Sequence, residues 1–189
     1  AGVRLAVEHL LALGHRRIAC LAWQHGLHNG DERLAGYLET LQAAGIVPCS
    51  EWIARLQNVI EDGYAATQTL MALPADIRPT AIVSLSDVMA IGAMRAAREC
   101  AIRLPEDLAI TGFDDIAFAR DLEPPLTTVS VPKELMGQLA SRRLLERIAQ
   151  PDLPPIIQTV PTSLVIRGSC GLPRPNALHE HEREHSWPR

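Results

Sequence analysis

One stretch constrains this chain more than any other. From Pro79 to Val131 it reads PTAIVSLSDVMAIGAMRAARECAIRLPEDLAITGFDDIAFARDLEPPLTTVSV. Two short apolar runs rich in branched residues, Ala81 to Leu85 and Leu108 to Phe113, flank a segment of helical pattern that opens near Asp87. Runs of that kind, separated by a connection long enough for a crossover, predict parallel strands in a βαβ unit. Each run ends in polar residues, Ser86-Asp87 after the first and Asp114-Asp115 after the second. In an open parallel sheet the carboxyl ends of the strands are where ligands bind, so these four residues are expected at a ligand edge.

The rest of the chain extends the pattern. Val3, Ala6, Leu10 and Leu13 recur at helical spacing, and Gly14 supplies the stop. A strand over Ile18 to Trp23 follows, then a polar loop and a helix with Leu34, Leu38 and Leu41 on its core face, capped by Asn29 or Asp31 and ended by Gly45. Trp52 to Leu56 alternates weakly and reads as a strand, Tyr64 to Leu73 as a helix. After Pro124-Pro125 come an extended segment, Leu126 to Val129, an amphipathic helix, Lys133 to Ile148, and a last strand, Thr162 to Ile166. Beyond Leu172 the composition turns to Pro, His, Glu and Arg without period, which predicts a disordered tail. The alternation gives an α/β fold: a parallel-sheet layered sandwich with helices on both faces.

Composition excludes more than it selects. A net charge of -4 gives no electrostatic case for this chain itself binding nucleic acid. Lys133 is the only lysine, which weakens any mechanism built on a Schiff base or a phosphate-cradling amine. Cys20, Cys49, Cys100 and Cys170 are scattered without a CxxC pair, and Cys20 and Cys100, in apolar runs, are expected to be small buried thiols in a reducing cytoplasm. No apolar run of membrane length is present, and no signal peptide is expected. No Walker A, G-x-G-x-x-G or G-x-S-x-G sequence and no nucleophile–base pair is found, so no catalytic residue, cofactor or metal is assigned. His25-x-x-His28 has half the spacing of a metal site and lacks a second pair; solvated loop histidines are the simpler reading. His179, His181 and His185, alternating with Glu180, Glu182 and Glu184, read as a mobile charged tail.

PTAIVSLSDVMAIGAMRAA, LPEDLAITGFDD and PPLTTVSVP, preceded by HLLALGHRRIACLA and ERLAGYLETLQAAGI, resemble in order the effector-binding region of LacI-type bacterial transcriptional regulators. The resemblance covers roughly residues 2 to 172. It implies a periplasmic-binding-protein-like fold of two similar subdomains joined by crossover strands, of which this chain carries the second nearly complete. Residues 1–125 would be that subdomain, and 126–150 a crossover strand and a helix belonging to the missing one. Residues 151–172 would be the return segment with the last strand, and 173–189 the tail. The chain would then be a fragment of a cytoplasmic homodimer, binding a small effector, in all expectation a sugar, and reaching DNA only through an absent N-terminal head. Val88 to Ala101 is the candidate interface helix.

The resemblance also implies site residues. Asp114, in the G-F-D motif, would accept hydrogen bonds from a polyol; a turn or capping aspartate is the structural alternative. Arg33, in R-L-A-G-Y, matches an effector-binding arginine whose planar fork suits adjacent hydroxyls or a carboxylate, against an exposed ion pair worth little. Ser86 stands where the family often has Asn, so it offers fewer hydrogen bonds. Asn29 and Asp31 are weaker candidates in the same loop, and Trp23 can stack on a sugar face or pack in the core. Asp87 reads as an N-cap or first-turn acid and Asp115 as structural. Two rival readings remain: an exported sugar-binding protein of the same fold, and an enzyme holding metal on Asp87, Asp114 and Asp115.

Overall fold

A computed structural model describes residues 2–24, 26 and 28–171, with the backbone alone of residue 28. The side chains of the His25/His28 pair and the whole tail carrying His179, His181 and His185 lie outside the described residues.

Each apolar run becomes an element. Helix α1 (Gly2–Ala12) leads into β1 (Ile18–Trp23), α2 (His28–Ala43), β2 (Ile53–Leu56), α3 (Ile60–Met71), β3 (Ala81–Ser84), α4 (Asp87–Glu99), β4 (Ala109–Asp114), β5 (Thr127–Ser130), α5 (Lys133–Ala149) and β6 (Ser163–Val165). They build one six-stranded sheet in the order β2-β1-β3-β4-β5-β6. All neighbours are parallel except β6, which runs antiparallel to β5. Strands β1, β3 and β4 are buried almost throughout, as expected of a parallel sheet covered on both faces. Gly14 and Gly45 sit just past α1 and α2 at φ +94° and +72°, the left-handed stop that the sequence pattern called for.

Helix α1 packs on α2 and on the β3–β6 side of the sheet, α2 on β1; α3 and α4 pack on each other and on the sheet. That last contact is very close. A Cβ on Gly92 would lie 2.0 Å from the Ile60 carbonyl oxygen, and one on Gly63 would lie 2.2 Å from that of Met89. The inner face of α4 is therefore taken by α3 and the sheet, leaving Arg95, Arg98 and Glu99 exposed near its end. Val88 and Ile91, earlier on the candidate interface helix, are half-buried.

Three expectations change. Thr127–Ser130, expected to belong with α5 to the other subdomain, hydrogen-bonds along β4 in this sheet, whereas β6 returns to the same sheet and α5 alone among the described helices has no buried residue, both as expected. Residues Ser50–Trp52 form a single 3-10 turn, so the second strand begins at Ile53. Cys100, expected buried, is exposed, because it lies past the end of α4 where the apolar pattern no longer faces the sheet; Cys20 is buried as expected.

A candidate ligand edge at the sheet switch point

Chain order leaves β1 toward β2 on one side and β3 on the other, so β1 and β3 flank the point where the sheet's progression reverses. Ligand crevices form outside the strand ends at such a point. Here α2, following β1, and the α4 N-terminus, following β3, border it.

Arg33 spans the gap. Its Nη1 donates to the carbonyl of Leu85 at 2.6 Å, just beyond β3, and its Nη2 reaches Asp114 Oδ1 at 3.3 Å, at the end of β4. The guanidinium lies 3.7 Å from the centre of the Phe113 ring and 4.8 Å from that of Trp23. Two aromatic faces and two acceptors fix a side chain that would otherwise retain much rotamer freedom. Arg33 thus lies over the ring of Trp23, the side chain for which sugar stacking and core packing were the two expectations. The Trp23 indole N–H is buried without an acceptor among the described residues. Burial lowers the pKa of Arg33, and Asp114 opposes that shift. Burial likewise raises the pKa of Asp114, against the pull of Arg33.

The backbone beneath Asp114 is strained. Asp114 has φ 110° and Asp115 φ 49°, conformations that cost a non-glycine residue about 1–3 kcal/mol each and persist where surroundings over-determine them. The twist sends consecutive carboxylates to different partners. Asp115 pairs with Arg167 at 2.7 Å, and its carbonyl accepts from Lys133 Nζ at 3.0 Å. Asp115 is therefore tied to the start of α5 and to the chain just after β6.

Ser86 takes the cap that was also open to Asp87, and Asp87 stands in the first turn of α4. Ser86 is 0% exposed and is the N-cap of α4, its Oγ accepting from the Met89 amide and donating to Asn58 Oδ1. It presents no surface to a ligand. Asp87, also 0% exposed, does not cap its own helix; it accepts from the Ile116 amide and the Thr128 hydroxyl. Burial raises its pKa, with Asp114 and Asp115 adding to the effect and the two hydrogen bonds opposing it. The three acids thus have separate partners, and no group of three metal-ligating side chains occurs among the described residues.

Asn29 is exposed near the start of α2, which begins at residue 28, so it lies within the first turn; Asp31 is bound to Arg55 at 3.1 Å. Sequence reasoning missed Asn58. It is exposed, follows β2, and hydrogen-bonds Ser86, so it is the polar group that reaches the edge where Ser86 does not. The rule that singled out polar residues after β3 and β4 would have found it had the end of the second strand been legible. Beside this edge runs a groove of about 330 Å³, bordered by Asn29, Arg33 and Phe113 and, across it, by Met136, Gln158 and Thr162.

Residues 7–170 match the family model of the periplasmic binding protein-like domain. The chain belongs to this family. Its relatives are LacI-type regulators. It is 42% identical over 147 residues to the HTH-type transcriptional repressor PurR of Erwinia tasmaniensis, covering 78% of this chain and 42% of that one. A LacI-family regulatory protein from Chloroflexus aggregans superposes with TM-score 0.80 at 43% identity, over 90% of this chain and 60% of the other. A complex of the transcriptional regulator CelR with cellobiose gives TM-score 0.82 at 36% identity, over 89% of this chain and 51% of that one. The chain spans about half the length of the curated relatives it matches. Among its described residues no helix is long and apolar enough to cross a membrane.

Proposed function

We propose that this chain is the ligand-sensing part of a cytoplasmic LacI-type transcriptional regulator that responds to a sugar or a related polyol, and that it catalyses no reaction. The observation that carries this reading is the pairing of Arg33 with Asp114 at the switch point, a fixed fork of donors beside a carboxylate acceptor. Adjacent hydroxyls of a sugar both donate and accept, and such a pair meets both needs. Asn29 and Asn58 extend the polar rim, while Trp23 acts through Arg33. The complex of a similar regulator with cellobiose supports the ligand class.

The whole regulator would contain a second subdomain closing over this edge and an N-terminal DNA-binding head, and would act as a homodimer. In this reading residues 1–125 form the second subdomain together with β5 and β6. Helix α5 and the segment after it belong against the other subdomain, which accounts for an exposed apolar stripe that includes Leu144, Leu145 and Ile148. Effector binding between the subdomains selects one orientation and so alters how paired heads meet an operator.

The test is effector response in the full-length protein, with cellobiose and a panel of mono- and disaccharides. Asp114→Asn and Arg33→Ala should each weaken response by roughly ten- to a hundredfold, the loss expected for one charged hydrogen bond, and leave operator binding intact. Unchanged response in both variants to every sugar that acts on the parent would overturn the assignment.

A further inference from the structure

We propose that Asp87 is a positioning residue of the ligand edge: its carboxylate holds the left-handed link Asp114–Asp115 in the conformation that aims Asp114 at Arg33. The proposal rests on the reading of this edge as a binding site, but its geometry stands independently of any ligand.

The cap of α4 is already provided by Ser86, so Asp87 is not needed there. Both groups that meet its oxygens are donors. The Ile116 amide lies 2.8 Å from Oδ2, and the Thr128 hydroxyl donates to Oδ1. The same hydroxyl oxygen accepts from the Asp115 amide at 3.4 Å. One carboxylate thereby orients two successive amides, one directly and one through a hydroxyl, immediately after the residue it serves. Space for it is reserved in the sequence: a Cβ on Gly112 would stand 2.2 Å from Oδ1. An aspartate kept only for packing would not require a glycine opposite it, nor would it sit beside two further carboxylates, Asp114 and Asp115. An amide in its place keeps the shape but offers only one acceptor, and that uncharged, to the two donors; its N–H faces the Thr128 hydroxyl, whose own proton then loses its acceptor.

The experiment is amide hydrogen exchange by NMR on the ¹⁵N-labelled 189-residue chain, comparing the parent with Asp87→Asn, Thr128→Val and Thr128→Ser. In Asp87→Asn the Ile116 amide should exchange about three- to thirtyfold faster, the range for replacing a charged acceptor by a neutral one, while Ile82 and Ile110 in the core strands keep their protection relative to each other. Thr128→Val, nearly isosteric, should expose the Asp115 amide and move the Arg33 Nε–H resonance out of its ring-shifted position over Phe113. Thr128→Ser, which restores the hydroxyl, should return both. Equal protection of Ile116 in parent and Asp87→Asn, or acceleration spread evenly along the chain, overturns the proposal. If Asp87→Asn does not fold, the valine–serine pair decides alone, and indistinguishable spectra at Asp115 and Arg33 overturn it. These readouts need no sugar, so failure of the sugar reading leaves them intact.

Discussion

Gly112→Ala is the sharpest perturbation of the ligand edge because its cost can be worked from distances. Gly112 has no positive φ, so alanine fits the backbone, and the exchange alone should gain about 0.5–1 kcal/mol from reduced chain entropy in a strand. The added Cβ, however, would lie 2.2 Å from Asp87 Oδ1 and 2.9 Å from Leu126 Cδ2. The carboxylate must retreat by about an ångström to reach ordinary contact, and a hydrogen bond weakens steeply beyond its usual 2.7–3.2 Å. Loss of both Asp87 bonds, at about 1.5–3 kcal/mol each for a charged acceptor and less whatever water recovers, exceeds the entropic gain. The expected net loss is about 2–4 kcal/mol, a large share of the roughly 5–15 kcal/mol that holds a domain folded.

A double-mutant cycle in urea separates this from general intolerance of the site. With Asp87→Ala the carboxylate is gone, and Gly112→Ala should then be neutral or stabilising by up to about 1 kcal/mol. The coupling between the two positions should therefore be at least about 2 kcal/mol. Additivity within about 0.5 kcal/mol, the behaviour of independent sites, would show that Gly112 is not there to make room for Asp87.

The remaining expectations concern the fold and its partners. Gly92→Ala should destabilise the chain by about 1–3 kcal/mol despite alanine's higher helix propensity, because its Cβ meets backbone of α3 at 2.0 Å; urea midpoints at or above the parent's would refute it. Burial lowers the pKa of His9 and His15, so the unfolded chain takes up protons first as the pH falls. Stability should decline from about pH 6.5 downward, and His9→Gln should flatten that slope in thermal melts. The chain alone, at net charge -4, should give no sequence-specific shift of duplex DNA at moderate salt in a gel assay. Helix α5, with Leu145 and Ile148 both about two-thirds exposed, should drive self-association visible by sedimentation, and Leu145→Glu with Ile148→Glu should abolish it.

Elements whose signal lies along the chain were legible in the sequence. The periods of α1, α2 and α5, the branched runs of β3 and β4, and the glycine stops came from local spacing and hold in the structure. Arg33 and Asp114 came from motifs, and the structure brings them together. The cap falls to Ser86 and not to Asp87, which the sequence left in either the cap or the first turn, for a physical reason. A serine and an aspartate at a helix start both suit the cap, and spacing cannot choose between them. What chooses is Gly112, which opens a space on β4, and Thr128, which supplies a donor from β5. Neither is near Asp87 in sequence, and only sheet order makes them neighbours.

That same order explains why two adjacent aspartates do different work. An ordinary strand end would point Asp114 and Asp115 to opposite faces of the sheet, one toward each helical layer. The left-handed link instead turns both along the carboxyl edge, Asp114 toward Arg33 on the β1–β3 side and Asp115 toward Arg167 beyond β5. Lys133, at the start of α5, holds the Asp115 carbonyl. The ligand edge and the segments that lead to and from α5 are thus tied to one another through consecutive residues of a single strained link. A ligand that draws Asp114 away from Arg33 must work against a link whose other end grips β5, α5 and the chain after β6. In the proposed regulator those are the segments through which this subdomain would meet the other, so the strain at Asp114 lies where a binding event can be turned into movement.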